Sequence, residues 1–284
     1  MEFKQQHVKC LSLSGLHRMA YTEWGERDNP RVLVCVHGLT RNGRDFDDLA
    51  AALAKDYRVI CPDVAGRGKS SRLRDAAHYE IPQYVTDMVT LIARLEVDRV
   101  DWLGTSMGGL IGMALAALEG SPINRLLLND VGPIITKEAL QRIAAYIGAD
   151  PVWATFDEAV AYVRTISAPF GALTDAQWRQ LTASSVARRA DGSWGFVYDP
   201  RIASTFHAAV VSRDADLWPI YDRIACPTLA IRGAQSDLLS AVVWRQMAER
   251  GPRATLVEIP GVGHAPMFLD AAQIAVVRDF LLAP

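Results

Sequence analysis

Short apolar, β-branched runs alternate with segments of helical periodicity along most of the chain. Val32–Val36 is one such run, and residues 46–55 then place apolar side chains on one helical face. Residues 100–103 and 110–118 repeat the arrangement, and an opening hairpin is predicted for residues 8–24. Because strand, helix and second parallel strand form a unit in which the helix covers the sheet, this alternation predicts an α/β fold with a mostly parallel central sheet flanked by helices.

The alternation is interrupted late in the chain. Residues 133–223 have a helical pattern rich in alanine and no apolar strand run of the earlier kind, and the alternation resumes at 228–231. We therefore predict an α/β core formed by residues 1–132 and 224–284, with a helical cap or lid formed by 133–223. Ligands bind at the carboxyl ends of the strands in such sheets, so an insertion at that edge is placed to cover a binding site.

Composition and charge exclude several classes of protein. Lys and Arg total 30 against 32 Asp and Glu, so the basic excess expected of a nucleic-acid binder is absent. The longest uncharged run, 102–118, contains glycines and is shorter than the roughly 20 apolar residues of a membrane span. The amino-terminal residues have no apolar signal core. We expect a cytoplasmic protein with a small-molecule substrate, no nucleic-acid partner and no membrane span; the sequence does not indicate an oligomeric state.

The sharpest motif is Gly104-Thr105-Ser106-Met107-Gly108, between a predicted strand and a predicted helix. A serine on such a tight turn has a strained backbone, tolerated where the residues two before and two after lack a Cβ. The serine hydroxyl is then exposed at a helix N-terminus, where the dipole and free N–H groups favour negative charge. The motif predicts a nucleophilic Ser106; a glycine-rich turn that only packs a helix on a strand is the alternative.

Two later loops supply partners for this serine. His264 and Asp237 each lie after a predicted strand, and the order Ser, Asp, His is the one expected of a triad built on such an elbow. His264 would accept the proton of Ser106, and Asp237 would hold the imidazole in the correct tautomer. Asp130 also follows a strand and is the alternative acid; we favour Asp237 because its loop has a glycine-then-acid spacing.

Taken together, these motifs resemble the α/β-hydrolase superfamily over nearly the whole chain. The matching segments are His37-Gly38, residues 63–70, the elbow at Ser106, and the loops at Asp237 and His264. The resemblance implies an oxyanion hole formed by the backbone N–H groups of Leu39 and Met107. Loss of one such donor typically costs about 2.7–4 kcal/mol of transition-state stabilisation.

Residues 66–70 are also similar to the end of a phosphate-binding loop. The full pattern requires glycine at position 63, where this chain has Asp63. The resemblance to the α/β-hydrolases implies that this segment is a structural turn.

Four residues are candidates for substrate binding. His37 lies beside the proposed site, where it would shape the oxyanion loop, and Arg41 could meet an acidic substrate or be an ordinary ion-paired arginine. Trp153 and Trp194 could line an apolar acyl pocket, although aromatic residues at helical spacing commonly fill a core. His207 is expected to pack within the insertion.

We predict a serine hydrolase that cleaves a small carboxylic ester or lactone through an acyl-Ser106 intermediate, with no cofactor and no metal. The same triad could cleave a C–C bond of a β-diketone-like acid or perform cofactor-free perhydrolysis, and the fold does not choose among these. A ligand-binding module with incidental turnover is a further alternative. Steady-state turnover of simple esters would separate an enzyme from such a module.

Overall fold

The computed structural model describes residues 3–205 and 211–283, and its central feature is an eight-stranded sheet. His207 lies outside the described residues. Within those ranges the strands are β1 (Lys4–Ser12), β2 (Gly15–Trp24), β3 (Val32–Val36), β4 (Arg58–Pro62), β5 (Val100–Thr105), β6 (Ile123–Asn129), β7 (Ile134–Ile135), β8 (Val186–Arg188), β9 (Trp194–Phe196), β10 (Ala215–Asp216), β11 (Thr228–Gly233) and β12 (Thr255–Ile259). The α-helices of the same ranges are α1 (Asp47–Leu53), α2 (Ile81–Arg94), α3 (Met107–Ala116), α4 (Lys137–Tyr146), α5 (Phe156–Ile166), α6 (Asp175–Ser185), α7 (Trp218–Tyr221), α8 (Ala241–Gln246) and α9 (Ala271–Leu282).

The strand order of the main sheet is β1-β2-β4-β3-β5-β6-β11-β12. The predicted opening hairpin is confirmed, because β1 and β2 pair antiparallel with Ser12 opposite Gly15. β2 runs antiparallel to β4, and every pair from β4 onward is parallel. The carboxyl ends of β3, β5, β6, β11 and β12 therefore meet at one edge of the sheet, as the α/β alternation predicted.

The sheet is buried on both faces, and β3 shows how the sequence achieves this. Val34 and Val36 pack into the core on the α2 and α3 side, whereas Leu33 and Cys35 pack into the core on the α1 and α9 side. Successive side chains of a strand point to opposite faces, so a continuous apolar run satisfies both cores. Full burial of one such side chain stabilises the fold by roughly 1.5–3 kcal/mol.

The segment from β7 to β10, which we call the insertion, lies outside the main sheet in its described residues. Its three longest helices α4, α5 and α6 are preceded by the N-cap residues Thr136, Thr155 and Thr174, and each threonine side chain accepts a backbone N–H of the first turn. The short pair β8–β9 was not predicted, because strands of three residues are too short to establish an alternation. The division of the chain at residues 133 and 223 stays a prediction.

The first and last parts of the insertion pair with each other at its base. β7 and β10 form a two-stranded antiparallel sheet, and the Leu217 N–H donates to the Pro133 carbonyl oxygen at 2.6 Å. The insertion therefore leaves the core and returns to it at one place.

The helices are short in the part of the chain that the structure describes. The longest is α2, with 14 residues. None combines the length and the apolar character that crossing a membrane requires.

Candidate active site

The turn between β5 and α3 carries Ser106 in the strained conformation that the sequence predicts. Ser106 has φ 51° and ψ −114°, a backbone conformation that residues other than glycine rarely adopt. A Cβ on Gly104 would collide with the Gly108 carbonyl group, and one on Gly108 would collide with the Val36 carbonyl oxygen. Glycine is therefore sterically required at both positions, and the prediction that these residues permit the turn is confirmed.

His264 lies between Ser106 and a carboxylate. Its Nε2 is 3.0 Å from Ser106 Oγ, and its Nδ1 is 2.7 Å from Asp130 Oδ2. A carboxylate only accepts, so Nδ1–H donates to Asp130 and Nε2 is left to accept the serine proton. This tautomer is the one that a general base requires.

The acid that contacts His264 is Asp130, so the preference for Asp237 is wrong. Asp130 is fully buried at the end of β6, whereas the Asp237 side chain is 58% exposed and forms an ion pair with Arg142 of α4 at 2.9 Å. The physical reason is the course of the loop after β11: Ser236 turns inward onto Asp130, whereas Asp237 turns outward to Arg142.

The loop after β11 supports Asp130 instead of supplying the acid. The Gly233 N–H donates to Asp130 Oδ1 at 2.8 Å, and the Ser236 hydroxyl donates to Oδ2 at 2.7 Å. With His264, these donors satisfy a carboxylate that would otherwise be buried without partners. The glycine-then-acid spacing that suggested Asp237 therefore marks the loop that holds the acid in place.

The loop after β3 presents the Leu39 N–H toward the cavity. The Gly38 carbonyl oxygen accepts from His37 Nδ1 at 2.7 Å and from the Arg41 N–H at 3.1 Å. In a planar trans peptide the N–H points opposite to the C=O, so the Leu39 N–H faces away from the groups that hold Gly38. A Cβ added to Gly38 would lie 3.8 Å from Ser106 Cβ, which places this loop beside the serine.

Met107 offers the second backbone donor. The Ser106 carbonyl oxygen accepts the N–H groups of Gly109 and Leu110 along α3, so the Met107 N–H points out of the helix N-terminus. Across residues 3–205 and 211–283, neither the Leu39 N–H nor the Met107 N–H has a protein acceptor, and both residues line the cavity that contains Ser106.

His37 holds the loop after β3 and does not line the cavity, so its candidacy for substrate contact is corrected. The side chain is fully buried, and its Nε2 accepts the Val64 N–H at 3.0 Å. Burial is the main cause that lowers the pKa of His37, to about 3, so the ring is neutral near pH 7. A neutral ring can accept at Nε2 while donating at Nδ1, as this loop requires.

Arg41 lines the cavity, but its guanidinium group already has protein partners. Its Nε donates to Asp45 at 2.9 Å, and a terminal nitrogen donates to the Ser185 hydroxyl at 2.7 Å. Because Ser185 belongs to α6, Arg41 connects the core to the insertion. The ion-paired alternative describes its contacts, and substrate binding by Arg41 stays a prediction.

Trp153 and Trp194 do not line the cavity, contrary to the expectation. Trp153 is buried against Tyr162 and Phe196, with ring centroids 5.2 and 5.1 Å away, and Trp194 packs on Phe156. Trp153 therefore lies in the layer behind the wall of the cavity, and Trp194 pairs with Trp153 through backbone hydrogen bonds. Tyr162 and Phe196 form the wall itself, and helical spacing alone could not distinguish the two layers.

The cavity at Ser106 has a volume of about 620 Å³ and lies between the sheet edge and the insertion. The core contributes Ser106, His264 and the loop after β3. The side that the insertion contributes is mostly apolar, and includes Leu140, Ile143, Tyr162, Ile166, Phe170 and Phe196. A concave apolar site with a few convergent polar groups is the usual form of a small-molecule site.

The turn at residues 63–70 is held together by its own side chains. Asp63 accepts the N–H groups of Gly43 and Lys69, both at 2.8 Å, and the Ser70 hydroxyl donates to the Asp63 carbonyl oxygen at 2.5 Å. A carboxylate therefore occupies backbone donors that a phosphate would need. The interpretation as a structural turn agrees with these contacts.

One cluster away from the cavity could in principle hold a metal ion. Cys10, His17 and Asp87 place candidate ligand atoms within 4.8 Å of one another. His17 Nε2 is already 3.0 Å from Asp87 Oδ2, and burial, followed by the charge of Asp87, raises the pKa of the Cys10 thiol to about 12. Because a metal binds the thiolate, this environment favours a hydrogen-bonded packing cluster.

Comparison with known proteins agrees with the fold. The family model for the alpha/beta hydrolase fold matches residues 31–271. A 3-hydroxybutyrate-oligomer hydrolase from Cupriavidus necator is 55% identical over 280 residues, which cover 96% of each chain. A 2-(acetamidomethylene)succinate hydrolase from Mesorhizobium japonicum is 24% identical over 84% of this chain and 83% of its own. The crystal structure of an α/β-hydrolase from Novosphingobium aromaticivorans superposes with a TM-score of 0.85, at 35% identity, over 99% of this chain and 98% of that chain.

The chain therefore belongs to the α/β-hydrolase fold family, and it is a hydrolase. The family predicted from the motifs is confirmed.

Proposed function

We propose that this enzyme hydrolyses short linear esters of hydroxy acids, of the 3-hydroxybutyrate-oligomer type, through an acyl-Ser106 intermediate. The observation that carries the proposal is the continuous hydrogen-bond chain from Ser106 through His264 to Asp130, at 3.0 and 2.7 Å, at the wall of an apolar cavity. The substrate class is supported by the 55% identity to the Cupriavidus necator enzyme over nearly the whole chain.

In this mechanism Ser106 Oγ attacks the ester carbonyl carbon while His264 Nε2 takes the hydroxyl proton. The carbonyl oxygen becomes an oxyanion that accepts hydrogen bonds from the Leu39 and Met107 N–H groups. His264 then returns the proton to the departing alkoxide, which leaves as an alcohol. The acyl-Ser106 ester remains, and Asp130 stabilises the imidazolium at each stage.

Water completes the cycle. His264 removes a proton from water, the resulting hydroxide attacks the acyl carbonyl, and Ser106 Oγ leaves with the proton from His264. The products are one carboxylic acid and one alcohol. For a linear hydroxy-acid oligomer, the alcohol is the fragment on the oxygen side of the cleaved ester, and it now begins with a free hydroxyl group.

Ser106→Ala tests the chemistry. Intact mass after treatment with a fluorophosphonate probe is expected to show one adduct on the wild type and none on the variant. Turnover of a 3-hydroxybutyrate dimer and trimer is expected to fall about 10⁴-fold or more in the variant. Retention of a tenth of the wild-type rate by folded Ser106→Ala would overturn the mechanism.

A substrate panel tests the class of substrate. We expect the linear dimer and trimer of 3-hydroxybutyrate to have higher kcat/KM values than a butyrolactone, a simple aryl ester or a β-diketone acid. If the probe labels Ser106 but the enzyme prefers the lactone or the β-diketone acid, Ser106 is still the nucleophile and the proposed substrate class is wrong. An adduct without turnover of any member would favour a binding module.

A further inference from the structure

We infer that Arg67 is a positioning residue of the oxyanion hole, holding the segments that carry both donors and placing a buried positive charge behind them. The inference rests on the proposed acyl-Ser106 mechanism. Arg67 lies in the turn after β4, whose similarity to a phosphate loop led to no function. None of the roles assigned above uses this residue.

The guanidinium group of Arg67 reaches both halves of the predicted oxyanion hole. Nε donates to the Leu39 carbonyl oxygen at 2.9 Å, and one terminal nitrogen lies 3.6 Å from Met107 Sδ. The other terminal nitrogen donates to the Ala65 carbonyl oxygen at 2.7 Å and to the Tyr84 hydroxyl at 2.8 Å. One planar group therefore fixes the loop after β3 relative to the first residue of α3.

This contact complements the one that His37 makes. His37 holds the carbonyl of Gly38, on the peptide that carries the Leu39 N–H, while Arg67 holds the carbonyl of Leu39 itself. The two peptide planes that flank Leu39 are thus both fixed by buried side chains. A donor fixed in this way needs no reorganisation when the oxyanion forms.

The charge of Arg67 is unlike that of the other buried arginines. Arg58 forms an ion pair with Glu23, and Arg232 forms one with Glu258. Arg67 is 1% exposed, and in residues 3–205 and 211–283 it has no carboxylate partner. A buried charge without a counter-ion is costly, and its cost is lowered when a negative charge forms nearby.

The neighbouring titratable groups respond to this charge. After burial, which is the largest cause, the charge of Arg67 also lowers the pKa of His37, so that ring contributes no second cation. Arg41, the other cation near the loop, is paired with Asp45. Among the described residues, Arg67 is therefore a buried cation without a counter-ion behind Leu39 and Met107 when the ester carbonyl oxygen acquires its negative charge.

The experiment compares Arg67→Met with Arg58→Met, a matched loss of a buried arginine at the amino end of β4, the opposite end from the turn that holds Arg67. For each folded variant we would measure kcat and KM for p-nitrophenyl butyrate, and the inhibition constant of an alkyl trifluoromethyl ketone, which Ser106 converts to an oxyanionic hemiketal. For Arg67→Met we expect kcat to fall about 10- to 100-fold, the inhibition constant to rise by a similar factor, and KM to change less than about threefold. Arg58→Met is expected to lower Tm while keeping both quantities within about twofold.

Equal losses in the two variants, or an unchanged ketone affinity in Arg67→Met, would overturn the inference. If Arg67→Met does not fold, Arg67→Lys is measured, because it retains a charge but not the planar fork. We then expect both kcat and ketone affinity to fall at least about threefold, and wild-type values would overturn the inference. Ser106→Ala is measured alongside. If Ser106→Ala still turns over the ester, the proposed function itself is wrong. If Ser106→Ala is inactive but the two arginine variants lose equal activity and ketone affinity, only the role of Arg67 is wrong.

Discussion

The core and the insertion line the same cavity but contribute different kinds of side chain to it. In the core, His37, Arg67 and Asp130 are 0–1% exposed, and each makes at least two hydrogen bonds that fix its orientation. In the insertion, ion pairs such as Arg179–Asp157 lie on the surface, with Asp157 77% exposed. The insertion faces the cavity mainly with apolar and aromatic side chains.

This difference indicates a division of labour. Buried, multiply bonded polar groups keep catalytic atoms within a fraction of an ångström of their positions, which general acid–base chemistry and oxyanion stabilisation require. Apolar walls contribute shape and can be changed at modest energetic cost. Substitutions in the core should therefore change kcat for every substrate, and substitutions in the insertion should change which substrate is preferred.

The sharpest test of the core is Asp130→Asn. The amide cannot stabilise the imidazolium and favours the wrong tautomer of His264, so we expect kcat to fall about 10⁴-fold. Asp237→Asn is the matched control, because it changes the other strand-end acid, and we expect kcat to stay within about threefold. Steady-state turnover of the 3-hydroxybutyrate trimer measures both. Comparable losses in the two variants would contradict the assignment of Asp130.

The buried His37 predicts a pH dependence of stability. Its pKa is about 3 in the folded state against 6.5 when unperturbed, so between these values the unfolded chain binds more protons. Its contribution is complete above pH 6.5 and is lost as the pH falls toward 3, by on the order of a few kcal/mol. We expect the pH dependence of urea unfolding between pH 4 and about 7 to become shallower in His37→Asn. The exposed His7→Asn should leave it unchanged; an unaltered dependence in His37→Asn would exclude this source.

The wall of the insertion predicts a change of selectivity. Phe170→Ala enlarges the cavity without touching the catalytic groups, so we expect kcat/KM for the 3-hydroxybutyrate trimer to fall about tenfold, mostly through KM. Esters with bulkier acyl groups should lose less. The rate of fluorophosphonate labelling at Ser106 is the control, and it should remain close to that of the wild type. A uniform loss of kcat across all esters would show that this wall affects the chemistry.

Substitutions on the surface of the insertion should have the smallest effect on stability and activity. Asp157→Asn removes the ion pair with Arg179, which is solvent-exposed and worth roughly 0–1 kcal/mol. We expect the free energy of unfolding, measured in urea, to change by less than about 1 kcal/mol, with kcat unaltered. A larger loss would mean that the insertion depends on its surface charges as the core depends on its buried ones.

The core was predictable from the sequence because its constraints are local. Gly104 is required by contacts within the turn, and Gly108, which approaches the Val36 carbonyl oxygen of β3, is recognised by its spacing from Ser106. His264 follows the last strand of the sheet in a short loop. The choice of acid was not local. Whether Asp130 or Asp237 reaches His264 depends on the course of the loop after β11, where Ser236 turns inward and Asp237 turns out to Arg142.

The insertion was less predictable for a related reason. Helical spacing identifies Trp153 as a packing residue or a wall residue but does not say which layer it occupies. Its position behind Tyr162 and Phe196 is set by the small β8–β9 sheet, which the sequence pattern does not indicate. The role of Arg67 also could not be predicted from the sequence, because its contacts with Leu39 and Met107 join segments that are distant along the chain.

The pairing of β7 with β10 has a consequence for how such enzymes can diversify. Because the insertion starts and ends at a single two-stranded junction, a different helical segment could be spliced between the same two strands without altering the path of the core chain. The residues of the core at Ser106 would then be unchanged, while the replaced insertion would alter which substrate is preferred. Chimaeras joined at this junction are accordingly a direct route to new ester selectivities on an unchanged reaction centre.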